Sequence, residues 1–229
     1  MNANAKSASA MAIWDRSECR VQIVAGDAAL VGDLAIPMEA RGLVVFAHGS
    51  GSSRTSPRNR FVAGVLQQAG FATLLVDLLT GREARIDQET SEWRFNIPLL
   101  GRRLTTITEW QQQHSDLRQL PLGYFGASTG SAAALMAAAE RPECVKAVVS
   151  RGGRPDLAGS SLARVHTPTL LIVGGDDTEV LELNRQALVR IPAKKNLEII
   201  PGATHLFEEP GALEEVARLA TEWCQQHLL

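Results

Sequence analysis

A serine stands between two glycines in the segment GASTG, residues 126–130, after an aromatic, β-prone run and before a run of alanines. The spacing is G-x-S-x-G, and a strand-to-helix turn of this kind lifts a serine Oγ above a sheet. The glycines permit close backbone approach, and the N-terminus of the following helix favours developing negative charge. The alternative is a polar N-cap with no chemistry. We predict that Ser128 is a nucleophile.

A serine hydroxyl becomes a good nucleophile only when a base takes its proton. Of the five histidines, His205 is the best base, because PGATHLFEEPG places it between the expected last strand and last helix. An acid must then hold the imidazole in the correct tautomer. The segment LLIVGGDDTEV offers two acids after a strand. The turn of two glycines plus one spacer favours Asp177, and Asp176 is the alternative.

The glycine-rich segment AHGSGSS, residues 47–53, follows a continuous apolar run. Such a loop supplies one backbone donor of an oxyanion hole, and the residue after the nucleophile supplies the other. We predict donation by the N–H groups of Ser50 and Thr129, with Gly51 the close second to Ser50 and in contact with substrate. One such donor lowers the barrier by about 3–4 kcal/mol. His48 is expected to support the loop by hydrogen bonding.

The elements that must position these residues alternate along the chain. Continuous apolar runs such as GLVVFA and FATLLV are typical of strands buried on both faces, and helical patterns lie between them. An opening hairpin is predicted at residues 26–27, whereas residues 78–94 form a polar stretch with little pattern. We predict one α/β domain over residues 13–229, preceded by a disordered tail at 1–12. Ligands of such sheets bind at the carboxyl ends of the strands, where the candidate residues converge.

The order H-G-x-G, G-x-S-x-G, G-G-x-D and a late G-x-x-H, from about Gly42 to the C-terminus, resembles the α/β-hydrolase superfamily. The short length and small insertions resemble its dienelactone-hydrolase-like branch. The resemblance implies a mainly parallel sheet of about eight strands with helices on both faces, a Ser-His-Asp triad, and no metal or organic cofactor. Dienelactone hydrolases proper carry a cysteine nucleophile, so Ser128 shifts the expected substrate toward ordinary carboxylic esters.

Composition narrows the partners. The formal net charge is −2, from 23 basic and 25 acidic residues, which gives no general attraction to nucleic acid or anionic membrane. No apolar run approaches the ~20 residues of a membrane-spanning helix. The three cysteines lie far apart, with neither metal-site nor disulfide spacing. We predict a cytoplasmic monomer or homodimer acting on a small-molecule ester.

Two arginines in SRGGRPD, Arg151 and Arg154, are candidate substrate-binding residues, because guanidinium groups recognise carboxylate or phosphate. The alternative is ion pairing with neighbouring acids such as Asp156. Too few residues separate the strand near 145–150 from the strand at Thr169 for a large cap domain. An open cleft would favour short-chain esters. The leading prediction is therefore a carboxylesterase-like hydrolase; thioester, amide or lactone cleavage, or a non-catalytic binding protein of the same fold, are the alternatives.

Overall fold

The computed structural model describes residues 17–229, which form one eight-stranded sheet with helices on both faces. The strand order is β1-β2-β4-β3-β5-β6-β7-β8. Strands β1 and β2 pair antiparallel with each other, β2 pairs antiparallel with β4, and all the other pairs are parallel. The predicted α/β-hydrolase architecture is confirmed. The tail predicted at residues 1–12 lies outside the described residues.

The elements follow in the order expected from the alternating pattern. The strands are β1 Ser17–Ala25, β2 Ala28–Ile36, β3 Leu43–Ala47, β4 Ala72–Val76, β5 Leu122–Ala127, β6 Val145–Arg151, β7 Thr169–Gly174 and β8 Lys195–Ile200. The helices are α1 Pro57–Gln68, α2 Gly81–Thr90, α3 Ile97–Gln113, α4 Thr129–Glu140, α5 Thr178–Arg190 and α6 Ala212–Leu228, and two 3₁₀ turns joined at Gly159 occupy Pro155–Arg164.

Two apolar layers hold the sheet. Every residue of β3, β4 and β5 is buried, as the continuous apolar runs predict. On one face the sheet packs against α3, α4 and α5, through side chains that include Leu104, Leu135 and Ala187. On the other face it packs against α1 and α6, through side chains that include Leu66 and Val216. The candidate site residues lie in the segments that follow the carboxyl ends of β3, β5, β7 and β8.

The opening hairpin turns at residues 26–27, as predicted. Gly26 has a φ of +65°, a conformation that glycine adopts without steric cost. The register pairs Ala25 with Ala28, and Ser17 with Ile36. Because β2 also pairs with β4, the hairpin extends the parallel part of the sheet on one side.

The polar stretch at residues 78–94 is more ordered than its sequence suggests, because it contains α2. Thr80 accepts a hydrogen bond from the Glu83 N–H, and the Glu83 carboxylate accepts one from the Thr80 N–H. This reciprocal cap satisfies two backbone donors that the helix end would otherwise leave free. The only buried side chain of α2 is that of Asp87, so apolar periodicity is absent. The sequence description of a polar stretch with little pattern fits this helix, and the helix itself was not predicted because apolar periodicity is absent.

No large cap covers the sheet within the described residues, since the connection between β6 and β7 holds only the 3₁₀ turns. No helix of residues 17–229 combines the length and the apolar character needed to cross a membrane.

Candidate active site

Ser128 occupies a strained turn between β5 and α4. Its φ is +50° and its ψ is −123°, a conformation that L-residues rarely adopt. A Cβ at Gly126 would lie 2.5 Å from the Ser131 Cα, and a Cβ at Gly130 would lie 2.2 Å from the Ala47 carbonyl oxygen. Both glycines of G-x-S-x-G are therefore required by close backbone approach. Strain of this kind persists only where surrounding structure enforces it, and it is concentrated at functional sites.

His205 and Asp177 are joined by a hydrogen bond. The His205 Nδ1 lies 2.6 Å from the Asp177 Oδ2, which leaves Nε2 free to face a substrate or nucleophile. The side chain of Asp177 is 14% exposed and that of His205 is 38% exposed. Asp176 is exposed, and its carboxylate makes no hydrogen bond within residues 17–229. The contact between the loops is tight, because a Cβ at Gly174 would lie 2.2 Å from the Ala203 carbonyl oxygen.

The end of β6 lies between the turn at Ser128 and the loop that carries His205. The Ser128 N–H donates to the Arg151 carbonyl oxygen at 3.2 Å. A Cβ at Gly152 would lie 3.6 Å from the His205 Cε1, so the imidazole packs on this glycine. The Ser128 Oγ makes no hydrogen bond within the described chain. Such contacts are commonly long in a free enzyme and shorten when substrate binds.

The loop after β3 carries the candidate oxyanion donor. His48 is buried; its Nδ1 lies 2.9 Å from the Gly49 carbonyl oxygen, and its Nε2 accepts a hydrogen bond from the Leu78 N–H at 3.0 Å. The imidazole is therefore neutral, with its proton on Nδ1. Burial lowers the pKa of His48, with smaller opposing effects from its hydrogen bond to Gly49 and from the charge of Asp77. The expected supporting role of His48 in the loop is confirmed.

The backbone N–H groups of Ser50 and Thr129 donate to no oxygen atom within residues 17–229, so both are available to an oxyanion. Gly51 has a φ of +69°, which lets the loop turn sharply beside them. A Cβ at Gly49 would lie 2.9 Å from the Ser128 Cβ. The loop therefore lies directly against Ser128, as the prediction of the oxyanion donors requires.

An arginine ties this loop to the sheet. The backbone N–H of Arg54 donates to the Asp77 Oδ1 at 2.7 Å, and its guanidinium donates to the Asp77 Oδ2 at 2.6 Å. The Nε of Arg54 also lies 3.3 Å from the Oδ2 of Asp33, on β2. Two carboxylates and one guanidinium thus fix the start of α1 relative to β2 and β4.

A cavity of about 430 Å³ opens beside Ser50 and Thr129. It lies between the loop at residues 48–57 and helix α2, with Leu100 and Thr129 also in its lining. Its α2 side is held by polar contacts. Arg94 donates to the Asp87 carboxylate at 2.8 Å, and the buried Arg103 donates to the Glu83 carboxylate at 2.6 Å and 2.8 Å. The position next to Ser128 makes this cavity the candidate substrate site.

The pKa of the Asp87 carboxyl follows from these contacts. Burial by itself raises that pKa, but hydrogen bonds from the backbone N–H groups of Arg94 and Trp93, together with the Arg94 guanidinium, lower it below the ordinary value. Asp87 is therefore ionised and paired when the protein is folded at neutral pH.

The two candidate substrate-binding arginines have different surroundings. Arg154 is bonded to the Asp156 carboxylate at 2.7 Å and 2.9 Å, which is the ion pair weighed as the alternative. Arg151 is 7% exposed, donates to the Asn59 Oδ1, and has its guanidinium 5.8 Å from the Phe207 ring centre. Burial and the nearby Arg58 lower the pKa of Arg151 to about 10. The anion-binding role of both residues stays a prediction.

Sequence reasoning missed the α2 side of the cavity. The side chains of Ala84, Asp87, Gln88 and Arg94 line it, together with Leu79 and Gly81. The signal that could have found α2 is the capping box Thr80-x-x-Glu83, since this pattern marks a helix start without any apolar periodicity. Within residues 17–229 no group of three or more His, Cys, Asp or Glu side chains could hold a metal ion.

Comparison with known proteins identifies the family to which this fold belongs. The model of the dienelactone hydrolase family matches residues 29–227. This chain belongs to the dienelactone hydrolase family. A crystal structure of a dienelactone hydrolase from Anabaena variabilis superposes with a TM-score of 0.92 at 58% identity, covering 93% of this chain and 99% of that one. Est1E from Butyrivibrio proteoclasticus has a TM-score of 0.75 at 16% identity, over 90% and 98% of the two chains, which shows the fold alone.

Two curated Mycobacterium tuberculosis relatives of this dienelactone hydrolase family chain are provisionally named phosphoribosyl transferases. Each is 59% identical over 208 residues, which is 91% of this chain and 46% of the relative. The chain therefore spans about half the length of the curated relatives it matches.

Proposed function

We propose that this protein is a serine hydrolase that cleaves small or short-chain carboxylic esters through Ser128, His205 and Asp177. The observation that carries the proposal is the His205–Asp177 hydrogen bond of 2.6 Å, at the same sheet edge as the strained turn at Ser128. Membership of the dienelactone hydrolase family supports a hydrolase.

The proposed reaction has two halves. The His205 Nε2 takes the proton of the Ser128 Oγ as that oxygen attacks the ester carbonyl carbon, and Asp177 stabilises the imidazolium that forms. The N–H groups of Ser50 and Thr129 donate to the oxyanion, which then collapses and expels the alcohol, protonated by His205. A water molecule, deprotonated by His205, attacks the acyl-enzyme, and the acid leaves with Ser128 restored.

The substrate class follows from the open edge of the sheet. Only the 3₁₀ turns connect β6 and β7, so no large cap inserted there encloses a long acyl chain. We therefore propose short acyl groups in a small-molecule ester, and thioesters, amides or lactones are the alternative substrates. Nucleic-acid and membrane partners have no support in the charge balance, and we propose a cytoplasmic monomer or homodimer.

Covalent labelling tests the nucleophile. A fluorophosphonate probe is expected to modify the intact protein once, and mass spectrometry of the digest should locate the adduct at Ser128. Ser128→Ala should not react, and it should lose turnover of p-nitrophenyl acetate by about 10⁴-fold or more. A probe that modifies Ser128→Ala and the natural protein equally would sink the proposal. The same assay with esters of increasing chain length should show falling turnover beyond short acyl groups.

The name of the mycobacterial relatives raises a second activity. We infer that phosphoribosyl transfer belongs to the part of those relatives outside the match, because the part that they share with this chain corresponds to a dienelactone hydrolase family domain. This chain alone should hydrolyse p-nitrophenyl acetate and should leave phosphoribosyl pyrophosphate and added nucleobases unchanged in a chromatographic assay. Formation of a nucleotide by the isolated chain would contradict this inference.

A further inference from the structure

The cavity beside the proposed oxyanion donors combines apolar surface with many hydroxyl groups. Its volume of about 430 Å³ is within the ~300–1,000 Å³ common for small-molecule sites, which are also mainly apolar with a few placed polar groups. Here much of the lining carries hydroxyl groups, from Ser50, Ser52, Ser53, Thr55, Ser56 and Thr129. The hydrogen bonds that these hydroxyl groups already make within the protein show which of them are available to a ligand.

Some of these hydroxyls are already used inside the protein. Ser53 and Thr55 bond to each other at 2.7 Å, and the Ser56 Oγ caps α1 by accepting from the Asn59 N–H. Within residues 17–229 the side chains of Ser52 and Gln88 make no hydrogen bond. The cavity thus presents hydroxyl and amide groups from two opposite walls that are free to donate and accept.

The hydroxyl of Thr129 is the most informative of these groups. Thr129 is 3% exposed, and its Oγ1 has no hydrogen-bond partner in the described chain. A buried hydroxyl without a partner carries a free-energy penalty of about 1–3 kcal/mol. A ligand hydroxyl bound in the cavity would remove that penalty, and Thr129 is adjacent in sequence to the proposed nucleophile.

The charges at the cavity are neutralised. Asp77 is paired with Arg54 at 2.6 Å, and Asp87 is paired with Arg94 at 2.8 Å. Each of these carboxylates is therefore balanced by a guanidinium, and the Arg94 Nη1, 3.9 Å from the Cβ position of Gly51, is left as a hydrogen-bond donor at the cavity. An uncharged ligand rich in hydroxyl groups fits this lining, because serine and threonine hydroxyls both donate and accept, as the ligand's own hydroxyls do.

We propose that the cavity binds an uncharged polyhydroxylated group, of the size of a monosaccharide or a short sugar alcohol, as one half of the ester. The inference rests on the proposed ester hydrolysis at Ser128. Such a group would place its hydroxyls against Gln88 and Ser52 on opposite walls and one against the Thr129 Oγ1. The group would enter either as the alcohol of the ester or as its acyl part, and paired substrates distinguish the two.

Two substrate pairs test the proposal. For the alcohol side, kcat/KM is measured for a methyl glucoside acetylated at one position and for cyclohexyl acetate. For the acyl side, it is measured for ethyl gluconate and for ethyl hexanoate. We expect the hydroxylated member of one pair to exceed its apolar partner by about 10-fold or more, since each added hydrogen bond contributes about 2- to 10-fold. The pair that shows the preference identifies the half of the ester that the cavity holds.

Two variants link that preference to the cavity. Gln88→Leu and Thr129→Val should each reduce the ratio of kcat/KM for the hydroxylated ester to that for the apolar ester by about 2- to 10-fold. Thr129→Val keeps the backbone N–H and nearly the same shape, so it removes the hydroxyl alone. Gln225→Leu, at an exposed glutamine of α6, is the matched control and should leave the ratio unchanged.

The outcomes are distinguishable from failure of the proposed function. Equal or lower kcat/KM for both hydroxylated esters, with fluorophosphonate labelling and p-nitrophenyl acetate turnover intact, would overturn the cavity proposal and leave the hydrolase proposal standing. A preference that persists unchanged in both cavity variants would also overturn it. Absence of labelling and of turnover on every ester would refute both.

Discussion

At the scale of single residues, the candidate site depends on two glycines, at positions where any side chain would collide with backbone. The turn at Ser128 exists because Gly126 and Gly130 let neighbouring backbone approach where a methyl group would collide. The buried His48 also constrains the backbone. Its Nε2 accepts a hydrogen bond from the Leu78 N–H, which fixes the loop that carries the proposed oxyanion donor. These residues set the position of the backbone, and the backbone in turn positions the groups proposed to react.

Gly130→Ala tests that constraint. The new Cβ would lie 2.2 Å from the Ala47 carbonyl oxygen, a backbone atom that cannot move without disturbing β3. We expect the free energy of unfolding to fall by about 3 kcal/mol and p-nitrophenyl acetate turnover to fall with it. Gly64→Ala is the control, because nothing lies within 4 Å of its Cβ position in α1. It should stabilise the protein by up to ~1 kcal/mol; equal loss in both variants would contradict the prediction.

His48 makes stability depend on pH. Its folded pKa lies below its unfolded value of about 6.5, so the unfolded chain binds a proton that the folded chain does not. Its contribution is complete above pH 6.5 and is lost as the pH falls below that value. His48→Leu removes the acceptor of the buried Leu78 N–H and should cost about 1–3 kcal/mol at pH 8.

Urea unfolding at pH 8, 6.5 and 5 measures this effect. The difference in stability between the natural protein and His48→Leu should narrow below pH 6.5, because only the natural protein loses the contribution of His48. His166→Leu, at an exposed histidine, is the control and should change stability by no more than about 0.5 kcal/mol. A difference that stays constant with pH would count against this account.

At the scale of elements, α2 is held differently from the other helices. Helices α1, α3, α4 and α6 bury apolar side chains against the sheet, whereas α2 buries only Asp87. A capping box and two arginine–carboxylate pairs replace the usual apolar stripe. The side of the cavity nearest α2 therefore depends on charge, and its stability should respond to acid.

Asp87→Asn tests this dependence. The pKa of Asp87 is lowered by folding, so the stabilisation is present above the unfolded value of about 3.9 and is lost as the pH falls through the folded value. At pH 7 the variant leaves Arg94 without its carboxylate and should lose about 3 kcal/mol. In urea unfolding the difference in stability between the two proteins should narrow as the pH falls below the unfolded value. Glu89→Gln, on an exposed position of the same helix, should show no such loss.

At the scale of the whole molecule, the sheet and its two layers were predictable. Continuous apolar runs indicate strands buried on both faces, and the residues after β5, β7 and β8 named Ser128, Asp177 and His205 as candidates for one edge. Helix α2 was not predictable from periodicity, because polar contacts hold it. The cavity was not predictable either, because residues 48–57 and 77–100 form it together, and no local pattern reports their separation in space.

The α6 layer offers a test of the fold as a unit. Leu228 is 2% exposed and packs over Gly123, whose Cβ position lies 3.1 Å from the Leu228 Cδ1. Leu228→Ala should therefore reduce the free energy of unfolding by about 2–5 kcal/mol. Leu229→Ala removes the same atoms from a residue that is 59% exposed and should have little effect. Similar losses of unfolding free energy in both variants would contradict the inference that Leu228 packs α6 against the sheet.

The polar contacts that hold α2 affect how readily this helix opens locally. A helix with one buried side chain opens locally at a lower free energy than elements such as α4, in which most side chains are buried. Amide hydrogens of α2 should therefore exchange with solvent long before those of α4, on a protein that is otherwise folded. A bound ligand that bridges Gln88 and the loop at residues 48–57 would slow that exchange. Ligand binding in the cavity would then be detected as slower amide hydrogen exchange in α2, without a measurement of turnover.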